Sequence, residues 1–341
     1  MRLRGVIVGL VTLRACCTHV AALEDRTYEV KPLPKEDWGT GDYVFARVTR
    51  RPAPDVRMEN PEGRRVELIE GETVVGAFGT RRATRGYVGS FRDVGEDGVM
   101  NIMTGGGVLG KVTSTSPYSP TPIEVEYVGH VVTDAGVERM ADHRLGSETT
   151  ELEIPVVLVL GTSMSAGKTM SGRVVTRVLV ENGYDVAACK LTGAGTYGDV
   201  LSMGVAGADP IYDFVDAGLP TTTVPDGRYR DAVEPVLGRM QEADVVVAEV
   251  GASPLEPYNG EAAVEMIQDE VAFTLLCATD PYAVVGIEEA FGHSPDLVAG
   301  IATNTTAGVD LVESLTDWPA LNLQEERTKD ALEEMLMDTL S

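Results

Sequence analysis

Two patterns of hydrophobic and polar residues divide the chain near residue 150. Before that point, apolar and polar residues alternate in short stretches, as they do in strands that bury one face. The clearest stretches cover residues 43–49, 65–69 and 123–128, and turn-forming residues separate them. No long helical period interrupts this pattern. It therefore predicts a small all-β domain, either a barrel or a sandwich, over residues 1–132.

The second pattern is a series of continuous apolar runs separated by helical periods. Runs at 154–160, 245–248 and 271–277 are made almost entirely of apolar residues, which is typical of strands buried on both faces. Strands of this kind that alternate with helices predict an α/β domain. We expect a parallel sheet with helices on both faces, the P-loop NTPase architecture, over residues 154–341.

Three further segments complete this division of the chain. Residues 133–153 have weak periodicity and many charges, and are interpreted as a short helix and a linker. Leucines at helical spacing predict a closing helix over residues 324–340. An apolar run at 5–13 follows two arginines, as in a signal peptide, but Arg14 interrupts it. We favour a first β-strand, or a misassigned start, for this run.

The amino-acid composition excludes several classes of protein. Of the 341 residues, 43% are hydrophobic, which is enough for packed cores and excludes a disordered chain. No apolar run reaches about 18 residues, which excludes a membrane-spanning helix. The four cysteines include no CxxC pair and the four histidines are scattered. Both a disulfide scaffold and a structural zinc site are therefore disfavoured.

The charge of the chain is strongly negative and unevenly distributed. The formal net charge is −25, and only six of the 28 basic residues are lysines. This favours a halophilic protein, because concentrated salt screens the repulsion; the alternative is an ordinary acidic cytosolic protein. Residues 151–341 hold 32 acids and 9 bases, whereas residues 1–150 hold 21 acids and 19 bases. The acidic half argues against a nucleic-acid partner, since a polyanion would be repelled.

Ten arginines cluster in the predicted β-domain. One interpretation is a surface that faces an anion, such as phosphate, RNA or an acidic partner. The simpler interpretation is a solvated face, or a face that docks onto the acidic second domain. The arginines are Arg47, Arg50, Arg51, Arg57, Arg64, Arg65, Arg81, Arg82, Arg85 and Arg92.

A glycine-rich loop follows directly on the apolar run at 154–160, and a helical period follows the loop. A strand, a loop ending in Lys-Thr and a helix form the context of a phosphate-binding loop, where backbone N–H groups face the phosphates. We expect Lys168 to lie near the β- and γ-phosphates and the Thr169 hydroxyl to bind Mg²⁺. The nucleotide-binding candidates are Gly161, Thr162, Ser163, Met164, Ser165, Ala166, Gly167, Lys168 and Thr169.

Three polar residues each follow an apolar run in the second domain: Lys190, Glu249 and Asn304. The carboxyl ends of parallel strands share one edge of a sheet, so these side chains are expected beside the phosphate loop. Lys190 is then a second cation at the site. Glu249 is placed to hold Mg²⁺ directly or through water. The amide of Asn304 is both donor and acceptor and can pair with the edge of a purine.

The motifs of the second domain, and their order along the chain, resemble those of dethiobiotin synthetases and the related cobyrinic acid amidases. The resemblance covers about residues 154–323. It rests on GTSMSAGKT, CKLTG, GDVLSM, ADVVVAEVGAS, VAGIATN and Trp318-Pro-Ala-Leu-Asn322. It implies ATP and Mg²⁺ as cofactors and a family that activates a carboxylate or carbamate by phosphorylation. It also implies a homodimer.

The resemblance further implies a role for each matching residue. Lys168 would bind the ATP phosphates, and Lys190 would stabilise the transferring phosphoryl group and the substrate carboxylate. Asp199, in the GDVLSM motif, and Glu249 would join Thr169 as Mg²⁺ ligands. Asn304 would contact adenine.

The chain also departs from this family, and the departures leave the substrate open. Ser163 stands where the family has aspartate, and Glu249 is not followed by the family's glycine-rich run. Dethiobiotin synthetase lacks the β-domain. We therefore predict a cytoplasmic enzyme that transfers a phosphoryl group from Mg-ATP to a small carboxylate or other oxyanion. The alternative is a nucleotide-hydrolysing switch that acts with a protein or polyanion held by the arginine-rich β-domain.

Overall fold

The computed structural model describes residues 12–23, 28–51, 56–146 and 151–340, which fall into two compact units. The first unit consists of Met1–Leu145, Ala194–Gly198 and Phe214–Thr223. The second consists of Gly146–Gly193, Asp199–Asp213 and Val224–Ser341. Most of the apolar run at 5–13 lies outside the described residues, but Thr12–Arg14, at its end, form a strand.

The first unit is all-β, as predicted for the amino-terminal part of the chain. Its strands are β1 (Thr12–Arg14), β2 (Glu29–Lys31), β3 (Tyr43–Arg50), β4 (Arg57–Glu59), β5 (Arg65–Glu67), β6 (Thr73–Phe78), β7 (Thr80–Arg82), β8 (Tyr87–Ser90), β9 (Val99–Ile102), β10 (Val108–Thr115), β11 (Glu124–Thr133) and β12 (Gly136–Val137). Strands β6, β3, β11, β9 and β10 pair in that order, and β10 pairs back with β6. This ring is a small closed barrel, one of the two predicted forms.

The barrel closes where β6 and β10 run parallel, and glycines make that approach feasible. A Cβ on Gly76 would lie 2.3 Å from the carbonyl oxygen of Gly107, closer than real side chains come. Tyr43, Phe78 and Leu109 are fully buried in the unit. Closing the sheet into a barrel pairs the edges that an open sheet would expose.

Two short segments from later in the chain belong to the first unit. In the segment 194–198, the Gly195 carbonyl oxygen accepts a hydrogen bond of 3.1 Å from the backbone N–H of Gly106. In the segment 214–223, the Thr221 hydroxyl donates a hydrogen bond of 2.7 Å to the carbonyl oxygen of Thr80. The hydrophobic pattern gave no indication of this arrangement, because each segment joins elements of the second unit along the chain.

The predicted short helix and linker over residues 133–153 need a correction. Strand β12 pairs with β11 in this region, and a 3-10 turn covers Met140–His143. Both belong to the first unit, which extends to Leu145. The many charged residues are typical of a linker, but some of them make local ion pairs within the unit. His143 Nε2, for example, lies 2.7 Å from Glu138 Oε2.

Several of the clustered arginines have partners within the first unit. Arg50 pairs with Glu124 at 3.6 Å, and the Glu67 carboxylate accepts from both Arg51 and Arg57. The guanidinium of Arg92 lies 4.7 Å from the ring centroid of Phe91, a cation–π contact. Much of the cluster is therefore part of a mixed-charge surface.

The second unit is a six-stranded parallel sheet flanked by helices, and the predicted α/β fold is confirmed. The strands are β13 (Val156–Gly161), β14 (Val186–Thr192), β15 (Ile211–Asp213), β16 (Val245–Val250), β17 (Val271–Ala278) and β18 (Leu297–Gly300), in the order β15-β14-β16-β13-β17-β18. The helices are α1 (Lys168–Glu181), α2 (Gly198–Val205, whose first residue lies in the first unit), α3 (Asp226–Gly238), α4 (Gly260–Glu265), α5 (Pro281–Phe291), α6 (Thr306–Thr316) and α7 (Lys329–Leu340).

The central strands explain why the sequence forms this sheet. Every residue of β13, β14 and β16 is buried, as expected for strands covered on both faces. The predicted closing helix is α7, which buries Leu332 and Leu336. None of the described helices combines the length and apolarity needed to cross a bilayer.

One prediction concerns the backbone crossing beside the phosphate loop. Gly300 has φ +89°, and a Cβ there would lie 2.2 Å from the carbonyl oxygen of Ala166. We expect Gly300→Ala to lower the free energy of unfolding by about 2 kcal/mol or more, because strain and a backbone clash add. Gly286→Ala is the matched control: Gly286 lies inside α5 with open space around it, and alanine should stabilise the helix by up to about 1 kcal/mol. Urea unfolding measures the free energy of unfolding of both variants. Equal changes in the two variants would show that Gly300 tolerates a Cβ as well as Gly286 does.

Candidate functional site

The predicted phosphate loop connects β13 to α1, and α1 begins at Lys168. The loop needs two residues with positive φ, Ser165 at +61° and Gly167 at +108°. Gly167 is the N-cap residue and supplies no side-chain hydrogen bond. The free N–H groups and the positive end of the helix dipole thus remain for an anion.

Lys168 is buried, and its ammonium group is held by backbone carbonyls. It donates hydrogen bonds of 2.9 Å to Ser163 O and 2.8 Å to Ala252 O. A Cβ on Gly161 would lie 2.6 Å from Lys168 Nζ, so the loop needs glycine where the lysine folds back over it. Burial lowers the pKa of Lys168, and the nearby carboxylate of Glu249 opposes that shift. An anion would therefore bind the Lys168 ammonium group more strongly than the two carbonyl oxygens do.

Three oxygen atoms converge beside the first turn of α1. The Thr169 hydroxyl lies 3.3 Å from Asp199 Oδ1 and 3.4 Å from Glu249 Oε2. A hydroxyl has one hydrogen and can donate to one of these carboxylates at a time. A small hard cation could accept all three oxygens as ligands, which is the donor chemistry that Mg²⁺ prefers. The residues present therefore fit Mg²⁺.

Lys190 lies at the same edge of the sheet and pairs with Asp199. Its Cα is in register with Glu249 on β16 and with Asp213 on β15. Burial disfavours the ammonium form, but the carboxylates of Asp199 and Glu249 outweigh it, and the pKa of Lys190 is raised. Lys190 is thus a fixed positive charge among carboxylates.

Asp213 is a site residue that the sequence analysis missed. It is almost fully buried, at 1% exposed, and its charge contributes to the raised pKa of Lys190. The available signal was an acid at the end of a strand, as for Glu249. Strand β15 has only three residues, too few for a recognisable apolar run.

Glu249 is buried between the two lysines. Burial raises the pKa of its carboxyl group, while the charges of Lys190 and Lys168 act in the opposite direction. A buried carboxylate is costly unless cations and hydrogen-bond donors surround it. The two lysines and the Thr169 hydroxyl meet that need.

Asn304 follows β18 and is exposed among other side-chain amides. Its Oδ1 accepts a hydrogen bond of 3.1 Å from Gln324 Nε2, and its backbone carbonyl accepts one of 3.3 Å from Asn322 Nδ2. These amides offer neutral donors and acceptors at the end of the strand. Asn304 therefore lies just after β18, as predicted, but in an amide network that does not include Lys190, Asp199 or Glu249.

Three solved structures are similar to part of this chain. A DUF1611 family protein from Anabaena variabilis matches with a TM-score of 0.40 and 16% identity, over 57% of this chain and 62% of that one. HypB, a hydrogenase maturation factor from Archaeoglobus fulgidus, matches at 0.39 and 11%, over 55% and 91%. Chloroplast FtsY from Physcomitrella patens matches at 0.36 and 14%, over 57% and 70%.

The second unit has an α/β fold, in which helices flank a parallel sheet and a glycine-rich loop connects β13 to α1. No protein-family model matches the chain, and no curated protein matches it. This chain covers less than two thirds of the length of the DUF1611 protein. The likeness to these structures concerns the fold, and the chemistry of the site comes from its own residues.

A substitution of Glu249 tests the three-oxygen cluster. Glu249→Gln keeps the shape of the side chain but removes a charge from the cation site. We expect the Mg²⁺ concentration for half-maximal nucleotide turnover to rise about tenfold, since a hard cation prefers a charged oxygen. Glu242→Gln is the control, because Glu242 is exposed near the opposite end of β16. If both variants need the same Mg²⁺ concentration for half-maximal turnover, Glu249 is not a ligand of the cation.

Proposed function

We propose that this protein is a Mg-ATP-dependent enzyme that transfers a phosphoryl group to a small carboxylate or other oxyanion. One observation carries the proposal: Lys190, a second buried lysine outside the phosphate loop, lies beside the three-oxygen cluster. Binding a nucleotide needs the loop, Lys168 and a cation. A further fixed positive charge suits a step in which negative charge moves between two partners.

Each residue of the site has a task in this reaction. The phosphate loop and Lys168 would bind the phosphates, with Lys168 exchanging its carbonyl partners for phosphate oxygens. Thr169, Asp199 and Glu249 would hold Mg²⁺, which neutralises phosphate charge when bound. Lys190 would orient the acceptor oxyanion toward the phosphoryl group and stabilise the charge during transfer. Catalysis would then consist mainly of positioning and electrostatic stabilisation.

The finer features of the proposal rest on the motif resemblance. The resemblance to dethiobiotin synthetases supports ATP as the nucleotide, a carboxylate acceptor and a homodimer. The amide network of Asn304, Asn322 and Gln324 also favours adenine. Adenine presents a donor and an acceptor that an amide can pair with, whereas the adjacent donors of guanine are better met by a carboxylate. A cytoplasmic location and adaptation to salt remain predictions from the sequence.

The second candidate function is a nucleotide-hydrolysing switch with a macromolecular partner. It is favoured by the course of the chain between Lys190 and Asp199. These two site residues belong to the second unit, but the segment 194–198 that connects them belongs to the first. A partner bound to the first unit could therefore change the spacing of Lys190 and Asp199.

Oxygen tracing separates the two functions. The protein is incubated with Mg-ATP, hydroxylamine and a panel of small carboxylates labelled with ¹⁸O in both oxygens. Transfer of the γ-phosphoryl group to a carboxylate oxygen releases ADP and forms an acyl phosphate. Hydroxylamine then attacks the acyl carbon, giving a hydroxamate and phosphate that carries one ¹⁸O. We expect ¹⁸O-labelled phosphate with at least one carboxylate; ADP formation with unlabelled phosphate throughout would favour the switch.

A further inference from the structure

One part of the first unit contains basic residues but no acidic ones. The chain has 53 acidic residues, yet none of them lies in residues 79–92 or 104–123. These two segments include strands β7, β8 and β10, which pair side by side as an antiparallel sheet within the first unit. The sheet is therefore a local region of positive charge in a chain of net charge −25. The basic residues of the two segments are Arg81, Arg82, Arg85, Arg92 and Lys111.

One face of this sheet carries mainly polar side chains. Thr80 on β7 is in register with Ser90 on β8, and their hydroxyls share a hydrogen bond of 2.9 Å, so both side chains lie on the same face. Because side chains alternate along a strand, Arg82, two residues after Thr80, lies on this face too. Arg82 is in register with Val88, and Val88 with Ser114. We call the face of these five residues the β7–β8–β10 face.

The other face of the sheet packs on the rest of the unit. Arg81 lies there, and its guanidinium is 5.2 Å from the ring centroid of Tyr87. It also donates a hydrogen bond to the carbonyl oxygen of Met103, so Arg81 has a structural role. Arg82 and Ser114, in contrast, are exposed. The β7–β8–β10 face is therefore the one that a ligand can reach.

A further guanidinium group lies at one end of this face. Arg85 is exposed in the turn that connects β7 to β8. Among the residues that the structure describes, its guanidinium has neither an ion-pair partner nor a hydrogen-bond acceptor. Its planar fork of donors fits the oxygen atoms of a phosphate group. Arg82, three residues earlier, brings a second guanidinium to the same end of the sheet.

An exposed aromatic ring lies at this end as well. Tyr118 is 96% exposed, in the loop of residues 116–122 that connects β10 to β11. The backbone N–H of Ser116 donates a hydrogen bond of 2.9 Å to the carbonyl oxygen of Gly86, which holds this loop against the β7–β8 turn. Three of the seven loop residues are proline, which restricts the backbone further. A group that stacks on the Tyr118 ring would therefore need little ordering of the loop.

We propose that the β7–β8–β10 face binds a single-stranded nucleic acid, with phosphates on Arg82 and Arg85 and a base stacked on Tyr118. Proteins that bind single strands combine cations along the backbone with aromatic rings on which bases stack. An acidic peptide would use the cations but not the ring, so the exposed ring favours a nucleic acid. The proposal does not depend on phosphoryl transfer in the second unit.

The negative charge of the whole chain does not prevent this binding. The argument against a nucleic-acid partner comes from the acidic residues of the second half, 151–341. At 0.15 M salt, charges more than about 8 Å from a bound phosphate are largely screened. The charges on and around the β7–β8–β10 face therefore decide, and residues 79–92 and 104–123 contribute only positive ones.

Fluorescence anisotropy with the full-length protein tests the proposal. The probes are labelled oligouridylate and oligothymidylate of about 12 nucleotides, within the range of known site sizes. We expect saturable binding with a Kd of about 10⁻⁴ M or lower in 0.1 M KCl. The logarithm of the affinity should fall with the logarithm of the KCl concentration with a slope of about −1.4, since each of two phosphate contacts contributes about 0.7. Tighter binding of one probe identifies RNA or DNA as the preferred strand.

Two variants separate the ring from the cations. Tyr118→Ala should weaken binding about tenfold because a stacked base is lost, whereas Tyr118→Phe keeps the ring and should bind like the wild type. Arg85→Gln should weaken binding about fivefold in 0.1 M KCl and reduce the magnitude of the slope by about 0.7. The controls are Tyr282→Ala, an exposed tyrosine of α5, and Arg64→Gln, an exposed arginine outside the two segments without acids. Circular dichroism checks that each variant is folded.

Four results would overturn the proposal. The first is the absence of saturable binding of either strand. The second is equal affinity of the Tyr118→Ala and Tyr282→Ala variants, and the third is equal affinity of the Arg85→Gln and Arg64→Gln variants. The fourth is tighter binding of polyglutamate than of either strand, which would assign the face to an acidic protein instead.

Discussion

Replacing Lys168 by alanine is expected to weaken Mg-ATP binding about a hundredfold and to abolish turnover. The ammonium group is buried at the start of α1, where it now satisfies two carbonyl oxygens. A phosphate that enters the loop would take over this charge through charge-assisted hydrogen bonds, each stronger than a neutral one. Without Lys168, the bound phosphates would face the Glu249 carboxylate with one cation fewer. Calorimetric titration of Mg-ATP and Mg-GTP measures the loss.

Lys111→Ala is a matched control for this variant. Lys111 also follows a glycine-rich stretch, but Val112 comes next and the residues continue as strand β10. The structure thus has no helix N-terminus behind Lys111, and no loss of nucleotide binding is expected. Wild-type nucleotide affinity in the Lys168→Ala variant would refute the phosphate-loop assignment.

Replacing Lys190 by alanine should reduce kcat about 10²–10³-fold while changing nucleotide affinity little, as for the loss of a group that stabilises transition-state charge. Lys190 pairs with Asp199 and is in register with Glu249, outside the phosphate loop. Its removal withdraws positive charge from the region where the acceptor is proposed to react. Steady-state kinetics combined with Mg-ATP titration gives both quantities.

The same substitution should lower thermal stability, and this effect needs to be separated from the kinetic one. Asp199 and Glu249 lose a buried counter-charge, and breaking a buried ion pair from one side costs about 3–5 kcal/mol. Lys190→Arg keeps the charge and should recover much of the stability but less of the activity, because the guanidinium has a different shape. A folded Lys190→Ala protein with wild-type kcat would exclude the proposed role of Lys190. Lys31→Ala, on an exposed strand of the first unit, serves as the control.

The local parts of the site could be predicted from the amino-acid sequence alone. The phosphate loop is contiguous, so its glycines, Lys168 and the following helix could be predicted together. Lys190 and Glu249 could be predicted because each lies near the carboxyl end of a buried strand, and the carboxyl ends of parallel strands meet at one edge. These predictions needed only short-range pattern and the general geometry of parallel sheets. The all-β character of the first unit was equally visible, since alternation is a local signal.

The contacts between distant segments could not be predicted from the sequence. The closure of the barrel through β6 and β10, the place of Asp213 beside Lys190 and the transfer of residues 194–198 to the first unit all depend on contacts between remote parts of the chain. Such contacts leave no periodicity in a single sequence, because packing against a partner elsewhere places no fixed spacing on neighbouring residues.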